Sequence, residues 1–180
     1  MPNVNRLAAA VRATGGKVFW IKNTVDDTNR VEWSTFFAMS KPEYASWSIT
    51  AFEAGSPGHD IHPDLVLAPA DEIVQKRRFS AFLPASSDLT ARLREQGYDT
   101  VLITGTVTNV CCESSARDAM MENFKTIMVS DGNSARTDAE HTATLAAFYA
   151  IFGDVFTTDE LIDVLHANQR AGLASLAAAS

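Results

Sequence analysis

The chain has 180 residues, of which 46% are hydrophobic and 21% charged, and its formal net charge is −7. This length and composition suit one compact domain, residues 1–180, and exclude a disordered or fibrous chain. The acidic balance argues against a nucleic-acid partner, because proteins that bind the phosphate backbone concentrate Lys and Arg on one face.

The first third of the chain is predicted to hold one helix, one strand and a long irregular stretch. Apolar residues repeat at helical spacing from Val4 to Thr14, and a Gly-Gly pair ends the pattern. The continuous apolar run KVFWIKN, residues 17–23, predicts a buried strand. Residues 24–69 carry several prolines and aromatics, and we expect a long loop there that serves function or contacts a partner.

Strands and helices alternate in the rest of the chain. In order, we predict a strand at DEIVQKRRF, a helix at SSDLTARLREQGY, a strand at DTVLITG, a helix from about Cys111 to Asn123, a strand at KTIMVSDG, a helix at DAEHTATLAAFYAIF, a strand at DVFTT and a helix at TDELIDVLHANQ. This alternation indicates α/β class: a mostly parallel, Rossmann-like sheet with helices on both faces, in three αβα layers. Ligands bind such folds at the carboxyl ends of the strands, where Lys76 and TGTVTNVCC both lie.

The two cysteines of the chain are adjacent, where a predicted strand turns into a predicted helix. A cysteine in the first turn of a helix lies among unpaired N–H groups, whose partial positive charge favours the thiolate. We therefore interpret Cys111 as a nucleophile that faces the end of the sheet. Cys112, about 100° further around the helix, is interpreted as a core residue, which is the commoner fate of cysteine.

Three segments carry a resemblance to a known family. VLITGTVTNVCCESSARDAMMENFKTIMVSDGNSA resembles the nucleophile segment of the isochorismatase-like cysteine hydrolases. That superfamily includes isochorismatases, nicotinamidases, N-carbamoylsarcosine amidases and ureidoacrylate amidohydrolases. KRRFSAF, residues 76–82, is similar to its catalytic-lysine segment, and PNVNRLAAAVRATGGKVFWIKNT is similar to a region near its start. The resemblance covers most of the chain in family order.

The resemblance implies a set of catalytic residues. It makes Cys111 the nucleophile and Lys76 its lysine partner. It also implies a non-proline cis peptide at Thr106–Val107, in an oxyanion loop that continues through Thr108. The N–H groups of Val107 and Cys111 would then stabilise the oxyanion. A thiolate would attack a carbonyl carbon, and water would later release the acyl group, with no cofactor.

One catalytic group of the superfamily has no match in this sequence. The family's aspartate ends an LLVID-like first strand, which precedes the helix that begins here at Pro2 and lies in the middle of the family's sheet. We expect this central strand to be missing and a gap to open beside the nucleophile strand. Three explanations stay open: a fragment of an active hydrolase, which we favour; a short form that only binds; or a partner chain that supplies the strand. Asp26, Asp27 and Asp60 are interpreted as loop acids.

Histidines offer weaker signals. His59, Asp60 and His62 in GHDIHPDL superficially resemble a metal-ligand set. Their position matches a family loop that is not a metal site, so we predict no metal. His141 and His166 fall on predicted helices and are interpreted as surface positions.

The predicted substrate is a small molecule with an amide or carbamoyl bond. Trp33, Phe79, Phe82 and Asn109 are assigned to its pocket. TNVC brings the chain nearer to the ureidoacrylate and carbamoyl amidase branch than to nicotinamidases. Vinyl-ether cleavage does not need the cysteine, so Cys111 favours C–N hydrolysis.

The alternative is a catalytically silent relative that binds a small ligand or partner subunits. Several aromatics of the long loop either wall the pocket or bury a subunit contact: Trp33, Phe36, Phe37, Tyr44 and Trp47.

We predict a cytoplasmic location and no membrane partner. We also predict a homo-oligomer, either a dimer or a tetramer. No run of about eighteen or more apolar residues predicts a membrane span. The N-terminal sequence also lacks the long apolar core and cleavage site of a secretion signal. Adjacent cysteines with no third partner form no disulfide framework, which fits a reducing compartment.

Overall fold

The computed structural model describes the backbone of residues 1–178 and the side chains of residues 1–171. Its elements in chain order are α1 (Pro2–Ala13), β1 (Phe19–Asn23), α2 (Asp27–Glu32), α3 (Ser34–Met39), α4 (Pro42–Phe52), β2 (Glu72–Lys76), α5 (Leu89–Glu95), β3 (Thr100–Thr106), a π-helical turn (Thr108–Cys112), α6 (Glu113–Met121), β4 (Lys125–Ser134), α7 (Asp138–Ile151), β5 (Asp154–Phe156) and α8 (Thr158–Ala178). None of the described helices has the length and hydropathy needed to cross a membrane.

The strands form two parallel sheets. β1 pairs with β2, with Asn23 opposite Lys76, and β3, β4 and β5 form the second sheet in that order. Within residues 1–178, no strand pairs with the second edge of β1 or of β3. A hydrophobic cluster that contains Val74 of β2 and Val101 of β3 joins the two sheets in one core. We expected one sheet with a gap beside the strand that precedes the cysteines, and the sheet is divided at that strand.

Helices cover both faces of the second sheet and give the predicted three-layer αβα fold. In β4, the fully buried Met128 packs with Phe148 of α7. Its neighbour Val129 packs with Leu7 of α1 and Leu161 of α8. Successive side chains of a strand point to opposite faces, so a continuous apolar run such as KTIMV is buried on both sides.

Residues 24–69, predicted as an irregular loop, contain three helices instead. The carboxylate of Asp26 accepts a hydrogen bond from the backbone N–H of Asn29, and the Asn29 side-chain oxygen accepts one from the backbone N–H of Asp26, so α2 begins with a capping box. Pro42 at the first position starts α4. Because α2 and α3 have only six residues each, they contain too few apolar repeats for periodicity to reveal them.

The buried carboxylate of Asp71 joins α1, β1 and the loop before β2. It accepts two hydrogen bonds from the Arg12 guanidinium, at 2.8 and 2.6 Å, and one from the Trp20 indole at 2.7 Å. The N–H of Ala68 adds another at 2.8 Å. The bonds from Arg12, then those from Ala68 and Trp20, outweigh the opposing effect of burial and lower the pKa of Asp71 from 3.8 to about 2.

Asp71→Asn is expected to lower the free energy of unfolding by about 2–4 kcal/mol at pH 7, because it leaves the Arg12 charge without its counter-ion. The folded pKa lies below the unfolded one, so this contribution is complete above the unfolded pKa and is lost as pH falls through the folded pKa. The difference between wild type and variant, measured by urea unfolding, should therefore shrink between about pH 4 and pH 2. Asp64→Asn, at an exposed acid, is the control. A difference that stays constant down to pH 2 would contradict this account.

Candidate active site

The carboxyl ends of β2 and β3 bring Lys76 and Cys111 together. Lys76 ends β2 and is 5% exposed, and its Nζ lies 3.2 Å from the Sγ of Cys111. The ammonium also donates to the carbonyls of Arg78 and Phe79, each at 2.9 Å. It lies 3.4 Å from the Oδ1 of Asn23, the last residue of β1. A buried cation and the half-buried sulfur are therefore in direct contact.

Cys111 lies in the π-helical turn Thr108–Cys112, which begins three residues before the predicted helix start. The peptide bond between Thr106 and Val107 is cis. The Val107 carbonyl accepts hydrogen bonds from two N–H groups of the turn, at 3.0 and 3.3 Å. Among the described residues, the N–H of Val107 itself donates to no protein group. Single π turns attached to α-helices are frequent at functional sites.

Gly105 and Asn133 shape the end of β3. Gly105 has a φ of +127°, a backbone conformation that residues other than glycine rarely adopt. The register between β3 and β4 shifts between Ile103 and Gly105. The Asn133 side chain donates to the carbonyls of Ile103 and Val129, both at 2.8 Å, and so bridges the shifted strands. These contacts fix where the chain leaves β3 and enters the π-helical turn that carries Cys111.

The two cysteines lie in different environments. Cys112 is 5% exposed and packs with Met128 and Phe148. Burial raises the pKa of the Cys112 thiol to about 12; the adjacent Cys111 adds to this effect and Lys76 opposes it. Cys112 therefore stays a protonated thiol at neutral pH, and its interpretation as a core residue is confirmed.

Thr108 of the predicted oxyanion loop is fully buried and contacts a residue of α7. Its Oγ1 lies 2.9 Å from the Nδ1 of His141. His141, interpreted from the sequence as a surface position, is only partly exposed and contacts the segment that carries Cys111. Helical periodicity places a residue on a face but does not show what that face covers, so one sequence gave no signal for this pair.

Two of the residues assigned to the pocket, Trp33 and Phe79, contact each other, and the backbone of Phe79 contacts Lys76. The Trp33 ring stacks on Phe36 with centroids 4.1 Å apart and meets Phe79 edge-on at 5.1 Å. The Phe79 carbonyl is one of the acceptors of Lys76. The Arg78 guanidinium lies 5.1 Å from the centroid of the Trp33 ring. These rings form an aromatic wall that is joined to Lys76 through the backbone of Phe79.

The other two residues assigned to the pocket are Phe82 and Asn109. Phe82 is 3% exposed and packs in the core against Phe124, with centroids 5.7 Å apart. Its assignment to the pocket is therefore corrected to a packing position. Asn109, two residues before Cys111, has a buried Oδ1 that finds no hydrogen-bond partner in the described part of the chain.

The three acidic residues Asp26, Asp27 and Asp60 lie near partners other than Lys76 and Cys111. Asp26 caps α2 and accepts from Arg77 at 3.1 and 2.7 Å; that side-chain contact is the main cause that lowers the pKa of Asp26. Asp60 lies 3.1 Å from Lys22. Asp27 is fully exposed. Asp26 and Asp60 lie outside helices and strands, as interpreted from the sequence, but Asp27 is corrected to the first residue of α2.

The histidines of GHDIHPDL do not converge. His59 is 5% exposed, and its Nε2 lies 2.9 Å from the Oγ1 of Thr24. Asp60 faces solvent beside Lys22, and His62 is exposed. In the part of the chain that the structure describes, no group of three or more His, Cys, Asp or Glu side chains is arranged to hold a metal ion.

A family model described as the Isochorismatase domain matches residues 1–160, nine-tenths of the chain. The chain belongs to the isochorismatase family. Lys76, Cys111 and the loop between β3 and α6 all lie within the matched residues.

Relatives of this isochorismatase-family chain include two curated proteins. The uncharacterized isochorismatase family protein YwoC of Bacillus subtilis is 35% identical over 101 residues, which are 56% of this chain and 52% of YwoC. The ureidoacrylate amidohydrolase RutB of Methylobacterium radiotolerans is 30% identical over 161 residues, 83% of this chain and 61% of RutB. The chain thus spans about half of YwoC and about three-fifths of RutB.

The family fold is also found in solved structures. A cysteine hydrolase from Pseudomonas syringae pv. phaseolicola superposes with a TM-score of 0.80 at 27% identity, and the match covers 92% of this chain and 79% of that one. The α/β architecture described above is therefore the architecture of this family.

Proposed function

We propose that this chain is a cysteine-dependent hydrolase that cleaves a C–N bond, in an amide or carbamoyl group, of a small molecule. The proposal rests chiefly on the 3.2 Å contact between the Nζ of Lys76 and the Sγ of Cys111. An ammonium in contact with a thiol favours the thiolate, which is the nucleophilic form of cysteine. The two carbonyls that accept from Lys76 hold the charge in place beside the sulfur.

The first half of the proposed reaction makes an acyl-enzyme. The Cys111 sulfur attacks the carbonyl carbon, a C–S bond forms, and the carbonyl electron pair moves to oxygen. The unpaired N–H of Val107, together with the N–H of Cys111, would stabilise this oxyanion, since donors aimed at developing charge lower the barrier most. The C–N bond then breaks, and the amine leaves with an added proton.

In the second half, a water molecule attacks the thioester carbon. A C–O bond forms, the C–S bond breaks, and Cys111 returns to its thiolate form. Lys76 orients the carbonyl. The net reaction consumes one water and gives an acid and an amine; a carbamoyl substrate gives a carbamate, which decomposes to carbon dioxide and a second amine or ammonia.

The reaction also needs a group that gives a proton to the leaving nitrogen and takes one from the water. In residues 1–171, no carboxylate forms an ion pair with Lys76 or a hydrogen bond with Cys111. We propose that this carboxylate is an aspartate, as the family resemblance implies, on a strand that pairs with the free edge of β3. The same observation supports a second candidate function, a catalytically silent relative that binds a small ligand or partner subunits.

The proposed substrate class follows from the aromatic wall and from the relatives. Trp33 and Phe79 beside Lys76 suit a small planar group, such as a conjugated amide or a ureido compound. The 30% identical relative is named as a ureidoacrylate amidohydrolase. We further propose a cytoplasmic setting and a homo-oligomer.

Acid-quenched intact mass spectrometry tests this function. The protein is incubated with primary amides and N-carbamoyl compounds, and ammonia release is followed in parallel. We expect a one-equivalent acyl adduct on the tryptic peptide 95–117. That peptide contains both cysteines, so Cys112→Ala assigns the adduct to Cys111. If a compound instead raises the unfolding temperature with neither adduct nor ammonia, the silent-binder function is favoured.

A further inference from the structure

We infer that His141 is a positioning residue for the proposed hydrolysis: through Thr108 it holds the loop that carries the oxyanion donors. The inference rests on the proposed function and adds a residue that no family motif quoted above contains. Its basis is the 2.9 Å contact between the Nδ1 of His141 and the Oγ1 of Thr108.

Thr108 is the residue of this loop whose displacement would most change the positions of the oxyanion donors. It follows Val107 directly, begins the π turn, and lies three residues before Cys111. Its side chain is fully buried, so water cannot replace a lost partner without entering the core. The His141 contact is therefore the hydrogen bond that sets the position of the Thr108 hydroxyl.

His141 is itself held rigidly. It lies in the first turns of α7, which begins with a capping box between Thr137 and Glu140, and its N–H donates to the Thr137 carbonyl at 3.1 Å. A capping box fixes the first turn of a helix through two reciprocal hydrogen bonds. The helix turn that carries the imidazole is thus fixed by these hydrogen bonds.

α7 contacts the nucleophile segment at a second point. Thr144, one turn after His141 and 6% exposed, donates to the Glu113 carboxylate at 3.2 Å. Glu113 also accepts from Arg117 at 3.0 Å. Together these contacts hold the segment at Thr108 and at Glu113, on either side of the nucleophile. Of the two, only the contact at Thr108 adjoins Val107.

Loss of the His141 contact should affect acyl transfer more than the thiolate. Acyl transfer needs the Val107 N–H within hydrogen-bond distance of the oxyanion, and a displacement of about 1 Å can cost about 100-fold in rate. Alkylation by iodoacetamide needs only the thiolate, because its transition state has no oxyanion. The ratio of the two rates at Cys111 therefore reports on loop position.

The test compares the rates of acylation by p-nitrophenyl acetate and alkylation by iodoacetamide in variants of the 180-residue chain made in a Cys112→Ala background. We expect His141→Leu to lower the acylation rate about 10- to 50-fold and the alkylation rate less than about 2-fold. For any amide that is turned over, kcat should fall while KM stays within about 3-fold. His141→Asn, whose amide reaches the position of Nδ1, should restore most of the loss. Thr142→Ala, at the exposed neighbour, should match wild type.

The opposite results overturn the inference. They are an unchanged ratio in His141→Leu, an equal loss of both rates, or failure of His141→Asn to restore acylation at wild-type unfolding temperature. Failure of the proposed function has a different signature: Cys111 of the wild type would be acylated no faster, relative to alkylation, than free cysteine. In that case loss of the His141 contact cannot lower the ratio of acylation to alkylation, and the positioning role fails together with the proposed function.

Discussion

Cys111→Ala is expected to lower kcat for amide hydrolysis by roughly 10⁴-fold or more, to the level left by binding and oxyanion stabilisation alone. The change removes the only sulfur that lies against Lys76, since the second thiol is directed into the core. No group in the described residues can replace it, because no other nucleophilic side chain contacts that ammonium. Steady-state release of ammonia measures the loss.

Cys112→Ala is the matched control, since it removes the same group one residue away. Burial raises the pKa of the Cys112 thiol to about 12, so it supplies no thiolate at neutral pH. We expect kcat within about 3-fold of wild type and a loss of about 1 kcal/mol in unfolding free energy from the small cavity. If Cys111→Ala retained turnover of any amide that wild type hydrolyses, the nucleophile role would be wrong.

The meeting of Lys76 and Cys111 could be predicted from the sequence. Each lies at the end of a predicted strand, and parallel strands place their carboxyl ends at one edge of a sheet. The core role of Cys112 followed from the same helix geometry. The regular alternation after residue 70 gave the strands and helices that support this edge, because each of those elements is long enough to show its period.

Features that depend on specific side-chain pairs could not be predicted. His141 and Thr108 are 33 residues apart in the chain, and neither composition nor spacing links them. The π turn also has no periodic signature, so the helix was predicted to begin three residues too late. Asn23 is an intermediate case. It ends β1 opposite Lys76, and a polar residue at that strand end was a usable signal.

Lys76→Met is expected to lower kcat/KM by about 10²- to 10³-fold. Methionine keeps the length of the side chain but removes the charge that contacts the Cys111 sulfur at 3.2 Å. A nearby cation stabilises the negative sulfur that attacks, so its loss should lower the alkylation profile, the rate at Cys111 against iodoacetamide concentration at pH 7, about 10-fold or more. Because an unfolded chain would still be alkylated, a slower rate separates a charge effect from a loss of folded protein.

Lys22→Met is the matched control, because it removes one lysine charge from the neighbouring strand, where the partner is Asp60 at 3.1 Å. It should leave kcat/KM and the alkylation profile within about 2-fold of wild type. Lys76→Met also leaves the carbonyls of Arg78 and Phe79 without their donor, at a cost of about 1–3 kcal/mol each in stability. Rates are therefore compared well below the variant's unfolding temperature. If the alkylation profile of Lys76→Met matched that of Lys22→Met, Lys76 would have no part in forming the thiolate, and its contact with Cys111 would be one of packing alone.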